Sequence, residues 1–119
     1  MYEYKCVIRR IIDGDTVDVD IDLGFDTWLH NQRIRLSYID APEVRTRNLE
    51  EKAAGLESSA FVESFLPVGS TQKLLSKEYA AERGKYGRII GTFWVYDGST
   101  NSWTTLSDLM IKEGYAEPY

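Results

Sequence analysis

Carboxylates spaced a few residues apart and set beside arginines are the groups in this chain that suit chemistry. The stretch IIDGDTVDVDIDLGFD, residues 11–26, holds six aspartates in sixteen positions. RIRLSYIDAPEVRTR follows, with Arg33, Arg35, Asp40, Glu43, Arg45 and Arg47, and a proline between its two carboxylates. Asp40 and Glu43 on either side of that turn can orient toward one cation or one water. A third group, Glu82 to Arg88, has Gly84 and Gly87 flanking Lys85 and Tyr86. Lysine and tyrosine on such a loop can contact phosphate, and a guanidinium offers a fixed fork of donors to developing negative charge. Each group also has a plainer reading: a solvated acidic edge, a proline turn held by ion pairs, and a polar hairpin loop.

Local pattern predicts the strands and helices that hold these groups. Tyr4 to Ile12 and Asp15 to Leu23 read as two strands meeting at Asp13-Gly14, where glycine would supply the positive backbone dihedral of a tight hairpin. GFDTWLHN reads as a loop, and Gln32 to Ile39 as a third strand broken by Asp40-Ala41-Pro42. Leu49 to Leu66 reads as a helix that buries Ala54, Leu56, Ala60, Phe61 and Phe65 and stops at Pro67. QKLLSKEY and RIIGTFWVY read as further strands. Thr105-Leu-Ser-Asp108 resembles a capping box and leads a short helix carrying Leu106, Leu109 and Met110. The order β-β-β-α-β-β-α predicts one domain over residues 1–119, mainly β, built as a small antiparallel barrel with helices packed on it.

Side chains alternate faces along a strand, so Asp15 shares its side with Val17, Val19, Ile21 and Leu23, while Asp18, Asp20 and Asp22 point the other way. The three even aspartates are expected to meet solvent. Asp15 needs a partner, because an unpaired carboxylate on an apolar face is costly. That partner is a metal ion, an arginine or a hydrogen-bonded turn. Asp18-x-Asp20-x-Asp22 is not a helix-flanked calcium loop, since Leu23 and Leu29 stand where glycine and glutamate are required. Strict alternation also places Arg35 and Asp40 on opposite faces, so only a bend brings them together.

Composition narrows the classes. The chain has 119 residues with one cysteine and one histidine, which excludes an intrachain disulfide, a cysteine-based zinc site and any mechanism using two histidines. Cys6 is expected to fill core and His30 to be a solvated loop residue. The net charge of −5 argues against indiscriminate binding to nucleic acid, yet without the six clustered aspartates the rest of the chain is slightly positive. MYEYKCVIRR has no apolar signal core and no stretch is long and apolar enough for a bilayer, so no membrane association and a cytoplasmic location are the default expectation.

VIRRIIDGDTVDV, RIRLSYIDAPE, and GKYGRIIGTF followed by LSDLMIKEGYAEPY, taken in this order, resemble the staphylococcal nuclease (thermonuclease) family. The resemblance implies a five-stranded antiparallel OB-fold barrel with two or more helices, and calcium-dependent hydrolysis of DNA or RNA, single strands among them. It implies Asp15, Asp40 and the Ala41 carbonyl as calcium ligands and Glu43 as the group that activates water. Arg35 and Arg88 would bind phosphate and stabilise the transition state. Asp13 would support the ligands from behind, and Lys85 and Tyr86 would contact substrate phosphate. Where the family often has threonine, Ala41 keeps the carbonyl and loses a hydroxyl. The alternative is a non-catalytic barrel that binds nucleic acid or protein, and a third possibility is an acidic interaction domain.

Overall fold

The computed structural model describes residues 2–76 and 88–119. Strands β1 (Tyr2–Asp13) and β2 (Thr16–Asp22) form an antiparallel hairpin, and β3 (Trp28–Leu36) pairs with β2. The short β4 (Ile39–Asp40) leads to helix α1 (Leu49–Phe65), followed by β5 (Thr71–Ser76), β6 (Ile89–Asp97) and β7 (Ser102–Thr105). Helix α2 (Leu106–Lys112) and β8 (Glu117–Pro118) complete the order. β1, β2, β3, β6 and β5 close into a ring, the five-stranded OB-like barrel that was expected. Its pairs are antiparallel except the closing one, β3 with β6, which is parallel.

Alternation fills the barrel. Val17, Val19 and Ile21 of β2, Cys6 and Ile8 of β1, and Phe93 and Val95 of β6 are all buried in one core, each contributing roughly 1.5–3 kcal/mol if fully removed from water. Cys6 is core filling, as expected, and burial pushes its thiol up to about 12 against a weaker opposing bond from the Gln72 backbone. Thr105 caps α2 by accepting from the Asp108 N–H, and Leu106, Leu109 and Met110, which the helix carries as expected, are buried. Among the described residues no helix is long and apolar enough to cross a membrane.

Several local expectations are corrected. β3 begins at Trp28, so GFDTWLHN is partly strand, and His30 is a strand residue beside Asp20. The strand expected from Gln32 to Ile39 breaks after Leu36, where Tyr38 takes a left-handed φ of 64°. The face that α1 buries is Gly55, Ser58 and Val62, whereas Leu56 and Ala60 are exposed. Small residues let the helix approach backbone, and that requirement overrides apolar spacing. Gly14 does not have the left-handed backbone expected of it. It is glycine because an added Cβ would lie 2.8 Å from Ser58 Cβ and 3.1 Å from Ala41 Cβ.

The largest correction concerns Asp20, expected at the surface but only 3% exposed. It accepts hydrogen bonds from Arg9 Nε and, at 2.9 Å, from the Asn31 N–H, with His30 Nδ1 at 3.2 Å. Burial pushes its carboxyl up, but the Asn31, Arg9 and His30 donors together outweigh this and hold it below the usual carboxylate value. A depressed folded pKa contributes stability that is complete above the unfolded value and lost as pH falls through the folded one. Asp20→Asn is therefore expected to cost about 1–3 kcal/mol at neutral pH, with the difference from the parent shrinking in acid. Urea midpoints from neutral pH down past the carboxylate range check this; an unchanged difference in acid would refute it. Asp18 and Asp22 are partly exposed, the first paired with Arg33 Nε at 2.9 Å and the second accepting from the Gly24 N–H.

Candidate active site

The hairpin between β1 and β2 turns through Gly14 and Asp15, with Asp13 opposite Thr16. Asp15 therefore sits in the turn itself, 8% exposed. Its Oδ1 accepts from the Thr16 hydroxyl at 2.9 Å and its Oδ2 from the Ala41 N–H at 3.0 Å. Asp13 Oδ1 accepts from the Val44 N–H at 3.0 Å. The two aspartates thus hold the backbone on both sides of Pro42 and Glu43. A hydrogen-bonded turn and an arginine partner, two of the alternatives open for Asp15, are both realised.

Arg35 lies opposite Thr16 across the β2–β3 ladder, which brings its guanidinium to the turn. Nη1 donates to the Leu36 carbonyl at 3.0 Å, while Nη2 stands 3.6 Å from Asp15 Oδ2 and 3.5 Å from Asp40 Oδ1. Parity alone kept Arg35 and Asp40 apart. The left-handed Tyr38 supplies the missing bend, and Asp40 then pairs with Glu117 of β8. The Tyr119 N–H donates to the Tyr38 carbonyl at 2.9 Å, and the Tyr119 ring lies 5.7 Å from the Arg35 guanidinium carbon. Sequence reasoning missed Tyr119, because only the β4–β8 pairing carries it to Arg35.

Arg88 immediately precedes β6, whose Ile90 is in register with Arg35. One pocket is consequently lined by Asp13, Asp15, Arg35, Asp40, Glu43 and Arg88. Ala41 faces a neighbouring groove that shares Asp40 and Glu43 and adds Glu51, Glu57, Glu113 and Glu117, with no lysine or arginine among the described residues of its lining. Asp40 and Glu43 therefore stand on the border between the pocket that holds the two arginines and an acidic groove. Lys85 and Tyr86 lie outside the described residues. Among the described residues no three carboxylate, imidazole or thiol groups converge on one point.

The donors fit a hard cation. Asp15, Asp40 and the backbone at Ala41 offer only oxygen, the ligand type calcium takes in flexible arrangements. Each Asp15 oxygen accepts one hydrogen bond, which leaves acceptor capacity on both. Arg35 Nη2 already stands near both carboxylates, so the place between them attracts positive charge.

The family described as staphylococcal nuclease homologue has a model that matches residues 33–119. The chain is 33% identical over 96 residues to the thermonuclease of Staphylococcus intermedius, covering 80% of this chain and 51% of that protein. It is 32% identical over 113 residues to the thermonuclease of Staphylococcus hyicus, covering 95% of this chain and 57% of that protein. It is 36% identical over 93 residues to protein ParB of Escherichia coli, covering 78% of this chain and 43% of that one. The chain spans about half the length of the curated relatives it matches.

Proposed function

The chain belongs to the staphylococcal nuclease family, and from that membership we propose that it hydrolyses phosphodiester bonds of DNA or RNA by calcium-assisted attack of water. The observation that carries this reading is the gathering of Asp15, Arg35, Asp40, Glu43 and Arg88 around one pocket. Hydrolysis adds negative charge to an anionic phosphorus centre, so fixed positive charge beside it is the main requirement. Arg35 and Arg88 supply that charge as guanidinium forks on the phosphoryl oxygens. Glu43 accepts a proton from the water as its oxygen bonds to phosphorus, and the leaving oxygen departs and takes up a proton from solvent, to which Glu43 returns the one it accepted. Asp13, through Val44, keeps the Glu43 backbone in place. Asp15, Asp40 and the Ala41 carbonyl would hold calcium, which supplies further charge neutralisation and polarises the phosphate. Lys85 and Tyr86 are assigned to substrate phosphate by motif alone.

The test is digestion of single-stranded DNA and of RNA with millimolar calcium, with magnesium, or with chelator. Cleavage is expected in calcium and should fall at least about a hundredfold in chelator. If both substrates stay intact in calcium, or if chelator makes no difference, the proposal fails.

A further inference from the structure

Across the outer face of the barrel, β2, β1, β5, β6 and β7 carry one cross-strand row: Asp22, Lys5, Lys73, Trp94 and Thr105 are successive register partners. Beside it Tyr96 is paired with Trp103, whose ring meets the tyrosine edge-on at 5.6 Å between centroids. Trp103 is 66% exposed, so an aromatic surface is held in place and still open to solvent. Lys5, Lys73, Trp94 and Trp103 line one groove, which among the described residues shares none with the pocket around Arg35.

Two lysines directly opposite on paired strands repel each other. Their carboxylate neighbours relieve this only in part. Glu3 stands 3.8 Å from Lys73 with both side chains more than half exposed, and such exposed pairs contribute little. A bound anion relieves the repulsion better. Protein interfaces are depleted in lysine at their centres, which argues against a protein partner on this row. Lysines that grip a phosphate backbone beside rings that stack on bases are the combination by which single strands are bound without regard to sequence.

We propose that this lysine and tryptophan row binds single-stranded nucleic acid, stacking bases on Trp103 and Trp94 and holding phosphates on Lys5 and Lys73. The inference rests on the nucleic-acid reading of the chain and adds a second contact for strands long enough to reach beyond the Arg35 pocket. A dinucleotide substrate would not engage it.

Anisotropy of a labelled oligothymidylate of about twenty nucleotides, titrated in chelator to prevent cutting, tests the row. Trp103→Ala should weaken binding about tenfold. A Lys5→Gln, Lys73→Gln double variant should weaken it similarly and flatten the salt dependence by one to two powers, at about one per lysine lost. In calcium both variants should raise KM for the long strand, leaving kcat and dinucleotide cleavage unchanged. Binding equal to the parent in both variants, or no binding by the parent, overturns the inference even where calcium-dependent cutting is found. Should the parent cut nothing while the variants still lose affinity, the row stands and the nuclease reading falls.

Discussion

Glu43→Gln is expected to lower phosphodiester cleavage about 10²- to 10⁴-fold, the range by which a positioned general base accelerates proton transfer. Glutamine keeps the size of the side chain and one carbonyl oxygen but cannot take the proton from water. The loss would not be one of folding. Glu43 is exposed, and the loop around it is held by the Ala41 and Val44 N–H groups donating to the Asp15 and Asp13 carboxylates, bonds that the substitution does not touch. Its neighbours in the adjoining groove are acidic, so removing its charge eases repulsion. Cleavage rates with matched thermal melts check the expectation. Unchanged cleavage would remove Glu43 from the chemistry, and an equal fall in melting temperature would reassign it to stability.

Gly55→Ala should be the most damaging single methyl addition near the site. An added Cβ would lie 2.5 Å from the Glu43 carbonyl oxygen, 2.7 Å from its carbon and 2.9 Å from the Val44 nitrogen. All three are backbone atoms, so no side chain can swing aside. Alanine favours helix over glycine by about 1 kcal/mol, while forcing volume into a packed contact costs about 1–3 kcal/mol. With backbone on the far side, the upper part of that range applies and the net loss should be about 1–2 kcal/mol. Activity should fall further than stability, because displacing a catalytic group by about 1 Å can cost on the order of a hundredfold. Urea unfolding and cleavage rates of the same preparation check both parts. A more stable, fully active variant would mean that α1 does not position Glu43.

The barrel was legible because its strands follow an alternation of period two. Val17, Val19 and Ile21 lie inside as their spacing predicts, and the cap at Thr105 marks the start of α2. What escaped was set by partners distant in the chain. Asp20 reads as a surface aspartate until Arg9 and Asn31 are seen to bond it. Leu56 reads as helix core until Gly55 is seen against the Glu43 backbone. The approach of Arg35 to Asp40 depends on one left-handed tyrosine, which no residue preference announces. For the site, local pattern suggested that Asp15 needed a partner; its neighbour Thr16 is one, and tertiary structure supplied Ala41 and Arg35.

The parallel seam between β3 and β6 also bears on the order in which this molecule matures. Ile34 meets Ile89 and Arg35 meets Ile90 across a stretch of chain that includes α1 and β5. Pairings between strands so far apart are slow to form, because loop entropy is lost before any contact repays it. Until the seam closes, the β1–β2 turn and β3 can still present Asp15 and Arg35, yet Arg88 has no register to hold it beside them. On the proposed roles, an unfinished or partly opened molecule lacks one of its two guanidinium forks. Competence to cut would then require a closed seam and be lost whenever the seam opens.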